Sequence, residues 1–526
     1  MAELKRVKLM RGNEASRLSV IPAQGEQIST IDELKLYLGD GNKAGGYIVN
    51  ADSTIAIWPD QTDATKKLSL AWWIAYFNGE EATIRIPRGT HEVLDDMTIP
   101  ENICLKFDKG ARLKVSDTKT LTVNGSIEAG LWQIFDGDGT LTGTPKNDEI
   151  YVEWFGAIPD YDTDAKTGTD SASAMNKASV LAETSKTRLA SGGGNFKVED
   201  TVTINCNTDL SLMDLYADGE AVSPVIRCGV TTSEYGPTSL HINLPRVINN
   251  NKAADGWGTS GIGVELANMR RCIFDVNTIT RFGIGLNVRG YGGKGNSYNT
   301  INLTQLLANK INLQIGNIYG DISEGWCTEN TFVKGAFAHF VSDTTDWAGT
   351  RQIKITSGSN HLFMHPCIES HLVEYGVELN GNYHQFIAPR CEGDQSQEWL
   401  IGNVDGLLII GGFQTEQITY TQIEGTTSSK INLLSIGKYE LDPFTAAFVN
   451  VYGTKIRLKN SRTSSLYETL ISSSEVRCRD SAEYPKAVLS GVRSGVFFSY
   501  GNEEFDPWTA AYGLHLGSGG ALYVKG

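Results

Sequence analysis

Acidic side chains recur at a fixed interval in the later half of the chain. Glu369 and Glu392 are separated by a period of 23, at the ends of two segments that align throughout, Asn360-His-Leu-Phe-Met-His-Pro-Cys-Ile-Glu369 and Asn382-Tyr-His-Gln-Phe-Ile-Ala-Pro-Arg-Cys-Glu392. A third segment, Asp405-Gly-Leu-Leu-Ile-Ile-Gly-Gly-Phe-Gln-Thr-Glu416, brings Glu416 one position late, which a bulge at Gly411-Gly412 is expected to absorb. Asp394, just past Glu392, falls on the same face if the strand continues. If each segment is one rung of stacked parallel strands, acids on neighbouring rungs stand roughly 5 Å apart and those two rungs apart roughly 10 Å. Clustered carboxylates repel, so one keeps its proton while a neighbour stays ionised. Such a pair suits cleavage of a glycosidic bond, with close spacing for retention of configuration and wider spacing for inversion. Glu369, Glu392, Asp394 and Glu416 are the catalytic candidates, and a solvated acidic strip is the plainer alternative.

Around this column lie groups that would hold a sugar or neutralise a uronate. Arg390 and His365 are the polar candidates, and Tyr383 and Trp399 offer flat apolar faces with polar edges. Trp326, Trp347 and His384 are further members of the same neighbourhood. Base-assisted elimination, as in a polysaccharide lyase, needs a base beside a cation, and Arg390, His365 and His384 would have to supply both. His365 aligns with Ala388 in the next segment, so no histidine column is expected there.

The elements that must position these groups are short. Phe363, Phe386 and Ile409 repeat with the same period of 23, as do Pro366, Pro389 and Gly412. That period lies in the range of stacked solenoids, whose units bury their apolar faces only against neighbours. Looser echoes start at Asn299 and Asn330. Upstream, Ile84–Ile86, Met97–Ile99, Cys104–Phe107, Leu113–Val115 and Leu121–Val123 alternate apolar and polar residues between Gly, Asn and Asp turns. With 526 residues, 56 glycines and 20% charged residues, the chain is expected to be all-β and elongated. Before these strands, Leu70-Ala-Trp-Trp-Ile-Ala-Tyr-Phe77 reads as an apolar helix stopped by Asn78-Gly79 and suited to cover the open edge of a first rung.

Other chemistry is set aside. A net charge of −15 without clustered Lys or Arg argues against nucleic acid and against anionic membranes. No apolar run is long enough to span a bilayer, and Met1 to Asn13 lacks a signal-peptide core, so synthesis in the cytoplasm without export is expected. Eight cysteines without a C-x-x-C pair read as buried thiols. Asp160-x-Asp162-x-Asp164 lacks the Gly and the final Glu of a calcium loop. No metal and no cofactor are expected.

One stretch is more specific. Trp154-Phe-Gly-Ala157, an acidic loop, Thr169-Asp-Ser with an N-cap Asp and a following helix, then Gly192-Gly-Gly194 and a strand resemble the opening module of pectate-lyase-like β-helix proteins, a superfamily that includes many bacteriophage tailspikes. The loop Pro159-Asp-Tyr-Asp-Thr-Asp164 departs from the usual G-D-G-x-x-D-D form. Gly25-Glu26 and Leu36-Tyr-Leu-Gly-Asp-Gly41 are similar to elements of small N-terminal modules in phage tail proteins.

The resemblance implies an all-β right-handed parallel β-helix with small terminal modules, assembled as a homotrimer. It implies residues 1–47 as a virion-attachment module, 48–149 as capping helix and first coils, 150–460 as the main coil with the glycan site, and 461–526 as a C-terminal β module for capping or trimerisation. The implied partners are a bacterial surface polysaccharide (capsule or O-antigen), further copies of the chain, and the phage tail or baseplate; the implied location is the virion tail. The implied activity is endo-acting hydrolysis, with lyase chemistry or a non-catalytic adhesin on the same fold as alternatives.

Overall fold

The computed structural model describes residues 69–251, 260–317, 325–339, 348–369, 373–392 and 397–414, with short separate elements before them and isolated strands after. The chain divides into two compact units, one of residues 1–130 with 134–146 and the other of residues 131–133 with 147–526.

In the first unit, a four-stranded sheet of Leu9–Gly12, Gln27–Thr30, Leu36–Leu38 and Tyr47–Ile48 precedes the helix Leu70–Phe77. Ser69 caps that helix by accepting from the Trp72 N–H, and Asn78 ends it in the left-handed region. Three small parallel sheets follow, and their registers show a coil. Gly89–Val93 pairs with Ala111–Val115, Met97–Ile99 with Thr120–Val123, and Ala82–Ile86 with Ile103–Phe107. Alternation places Ile84, Leu105, Leu113 and Leu121 inside, each fully buried.

The second unit opens with the strand Glu149–Tyr151, the short 3₁₀ turn Val152–Phe155 and the helix Ala172–Ser185. Its N-cap position is Ser171 rather than the expected Asp; Asp170 instead accepts from the N–H groups of Ala172 and Glu199 and so ties the helix start to the next strand. The acidic loop is tied to the strand Gly194–Val198 by the Tyr161 N–H on the Asn195 carbonyl and is held locally by its own carboxylates. Asp162 accepts from the N–H groups of Asp164 and Ala165, and Asp160 from the backbone and hydroxyl of Thr169.

Beyond it run two long sheets of 18 and 13 strands, parallel except where Lys455–Lys459 pairs antiparallel with Leu466–Thr469 at the end of the second. The chain alternates between them, for example through Thr300–Leu307, Ile311–Ile315, Thr331–Ala338 and Arg351–Ile355, so each return lands one rung further along. The fold is a right-handed parallel β-helix, the hand that parallel crossovers take. Phe274, Ile301, Phe332, Phe363, Phe386 and Ile409 form one inward column, in register from rung to rung. Phe363 stacks on Phe332 at 4.8 Å and on Phe386 at 4.5 Å between ring centres. Each buried ring of this kind contributes about 1.5–3 kcal/mol.

Two corners give each rung its shape. Tyr298, Glu329, Asn360 and Tyr383 adopt the left-handed conformation just before one strand, and His365, Ala388 and Gly411 adopt it just after, as Lys334 does within the unbroken strand Thr331–Ala338. Gly411-Gly412 therefore occupies the corner held by His365-Pro366 and Ala388-Pro389 in the rungs below. The expected bulge is absent. Ile387 pairs with Ile410 and Arg390 with Phe413, the same offset on both sides of the glycines.

Candidate functional site

The strands Cys367–Glu369 and Arg390–Glu392 follow the second corner, with Ile368 and Cys391 turned inward and their neighbours turned out. Glu369 pairs with Glu392 and Cys367 with Arg390. The Cys367 thiol and one oxygen from each glutamate lie within 4.8 Å of one another. Arg390 donates from Nε to Glu392 at 2.6 Å and also forms a salt bridge with it through Nη2. Burial pushes the Cys367 thiol up, and the nearby glutamates add to that shift. A softer sulfur between two carboxylates is a poor match for calcium or magnesium, which want oxygen alone.

The other sequence candidates distribute differently. Trp399 is fully buried and packs edge-on against Phe386 at 5.1 Å, so it is a core residue and presents no face to a sugar. Inward alternation along Gln397–Asp405 puts it there: its partner below is Val377, itself buried. Tyr383 is exposed, but it stands at the first corner, separated from Glu392 by the strand Gln385–Ile387 and the corner at Ala388. Its hydroxyl lies 3.2 Å from Asp405. His365 is exposed at the second corner and bound through its backbone N–H to the Ile387 carbonyl. Trp326 is half-buried, its ring lying over Gly295, where an added Cβ would come within 2.1 Å of it.

His384 is also buried, contrary to its expected place near the acidic column. It stacks on His361 at 5.2 Å with the rings almost parallel, so a histidine column does exist, just before the position that the sequence alignment singles out. Asp394, Glu416 and Trp347 lie outside the described residues. Arg390 and Cys391 pair with Phe413 and Gln414 at the same offset, where the described part of that strand ends.

A second polar column leaves no signal in the sequence. Asp209, Asn243, Asp275 and Asn302 are register partners on successive rungs of the same 18-stranded sheet. They line two open hollows that meet at Asn243. One, of about 570 Å³, adds Asp148, Arg188, Asn207 and His241; the other, of about 350 Å³, adds Asn277, Thr304 and Lys334. Asn243 donates to Asp209 at 3.2 Å, Asn302 to Asp275 at 2.7 Å, and His241 Nε2 lies 2.5 Å from Asp275. Burial pushes the Asp275 carboxyl up, but the bonds from His241 and Asn302 outweigh it and hold the group below the usual range. The column presents alternating acceptors and donors along an open trough, an arrangement suited to the hydroxyls of an extended polymer. The separations between its members differ at every step, so no common period reveals it.

Among the described residues no helix is long and apolar enough to cross a membrane. The sequence matches no known family model, and comparison with curated proteins finds no match. Two solved structures are similar. One is the ORF18 protein of Geobacillus virus E2, 14% identical, with 64% of this chain and 68% of that one covered and a TM-score of 0.35. The other is the Dettilon tailspike protein, 13% identical, with 81% and 78% covered and a TM-score of 0.32.

Proposed function

We propose that this chain is a bacteriophage receptor-binding protein of the tailspike kind, which holds a bacterial surface polysaccharide along the outer face of its longer sheet and hydrolyses it with Glu369 and Glu392. The observation that carries the reading is the register pair itself: two outward carboxylates on adjacent rungs, with oxygens within 4.8 Å. That separation belongs to the retaining class, where the carboxyl groups sit about 5–5.5 Å apart. We assign Glu392, to which Arg390 is bonded, as the nucleophile and Glu369 as the proton donor. The trough from Asp209 to Asn302 supplies a second polar bed for sugar units, in the column that continues to Met364 and Ile387 and so across the second corner from the glutamates.

Self-association into a trimer is part of the proposal. Its support is an apolar patch at Gly192 and Gly193, where Leu131 and Leu212 are 51% and 73% exposed. Residues 1–47 are assigned to virion attachment on the sequence resemblance alone, and 461–526 to capping or trimerisation.

The test is incubation of the purified protein with capsule or O-antigen from a sensitive strain, with assay of new reducing ends and of unsaturated product. Reducing ends from the wild type and none from Glu392→Gln support hydrolysis. Unsaturated product replaces it with elimination, and binding without any product leaves an adhesin.

A further inference from the structure

The first corner of the main coil carries a ladder of buried polar side chains. Register aligns Cys272, Asn299, Asn330, His361 and His384, each directly before a strand of the longer sheet. From Asn299 upward, each side chain accepts the backbone N–H of the rung below: Cys272 N–H to Asn299, Asn299 N–H to Asn330, Asn330 N–H to His361 Nδ1 at 3.3 Å, and His361 N–H to His384 Nδ1 at 3.4 Å. These backbone groups lie in a tight corner closed to water, so the ladder satisfies donors that nothing else would.

The ladder changes chemistry halfway. Asn299 and Asn330 accept through an amide oxygen that does not titrate in this range, whereas His361 and His384 accept through imidazole nitrogen. Accepting at Nδ1 places the ring proton on Nε2. In His384 that proton is donated to the Asn380 carbonyl at 3.0 Å; in His361 the buried Nε2 has no partner. Protonation at Nδ1 turns each acceptor into a donor pointed at a backbone N–H, and puts two cations face to face at 5.2 Å. Neither change fits the closed corner.

We infer that the His361–His384 stack is an acid-sensitive joint, at which the rungs bearing Glu369 and Glu392 open locally while the asparagine-laddered rungs below stay closed. The inference rests on the ladder and holds whatever the outer face binds. Among the described residues, the groups facing the pair contain no compensating charge. They are Asn330 and the Cys327 thiol from the rung below, the Gly358 and Asn380 turns beside it, and the Phe332 ring edge-on to His361. Burial pushes Cys327 up to about 12, so it stays neutral throughout. Burial holds His361 well below the ordinary histidine value, with the neighbouring His384 adding to the effect, and burial brings His384 down to about 4.

The experiment is amide hydrogen exchange on the full chain at pH 7 and pH 4, corrected for intrinsic chemistry, comparing peptides over 358–364 and 380–387 with peptides over 273–280 and 300–307. The expected result is at least tenfold faster exchange at pH 4 in the first pair and less than twofold change in the second. In His361→Asn/His384→Asn, which continues the asparagine ladder, the tenfold response disappears. His339, a buried histidine at another corner, is retained in that variant, so the response lost belongs to the pair. Equal acid response in both regions overturns the inference, as does a full response in the double variant. If that variant fails to fold, the regional contrast in the wild type decides alone.

Discussion

Glu392 stands directly over Glu369 on the next rung, and Arg390, earlier on the same strand, is bonded to Glu392. This asymmetry makes the two carboxylates separately testable. Glu369→Gln and Glu392→Gln are each expected to lower turnover on a cleaved glycan by roughly a hundredfold to ten-thousandfold. Melting is expected to shift by no more than the about 0.5 kcal/mol usual for surface changes. Reducing-end assays and calorimetry on the same preparations check both; near-normal turnover in the two variants would remove the pair from the chemistry.

Asn243 is shared by both hollows of the trough. Replacing it with Tyr fills the bed without reaching Glu369 or Glu392. The expected outcome is at least tenfold weaker polysaccharide binding by titration calorimetry, about 1.4 kcal/mol, with an unchanged melting temperature.

The second corner makes opposite predictions for two neighbours. Ala388 holds a left-handed conformation that costs a non-glycine residue about 1–2 kcal/mol, partly offset in Gly by its greater chain entropy. Ala388→Gly should therefore stabilise by up to about 1 kcal/mol. At Gly412 a Cβ would come within 2.3 Å of the Pro389 carbonyl oxygen, so Gly412→Ala should destabilise by more than about 2 kcal/mol. Denaturant midpoints of the two variants decide.

His339 lies in a buried polar network: its Nε2 is 2.5 Å from the Asn309 carbonyl and its Nδ1 is 3.0 Å from Gln352, which donates onward to the Glu369 carbonyl at 2.5 Å. Burial lowers this imidazole to about 4. The unfolded chain, titrating near 6.5, then binds more protons than the native state between those values. The stability supplied by the neutral ring is complete above about 6.5 and lost as pH falls toward 4, by roughly 3 kcal/mol in total. His339→Gln should flatten the pH dependence of the denaturation midpoint over that window; an unchanged slope would show that His339 is not the group responsible.

The upper rungs are legible in the sequence because they have equal lengths. Phe363, Phe386 and Ile409 sit one period apart, so the register of Glu369 and Glu392 follows from counting. The trough is hidden for the converse reason, since between Asp209 and Asn302 the loops differ in length from one rung to the next. Trp399 is misleading because a tryptophan near an acidic strip looks like a sugar platform, and only the phase of the Gln397–Asp405 strand turns it inward. His361 and His384 share the period of the glutamates, a signal sufficient to find them. The more conspicuous His365, which has no partner in phase, points the count to the wrong position. Gly411-Gly412 looks like an insertion, yet it is the same left-handed corner built from the residue that enters it most readily.

The inward column keeps its register although its members are unevenly spaced in sequence, at 274, 301, 332, 363, 386 and 409. The longer rungs have their additional residues between successive strands, as between Ile315 and Trp326 and between Ala338 and Arg351. The long rung from Phe332 to Phe363 and the short one from Phe363 to Phe386 therefore stack in the same register on their respective neighbours. In evolutionary terms the coil is a rack with standard fittings. Segments exchanged by recombination at these junctions need no refitting of the core, so a rung of different length can be inherited as a cassette.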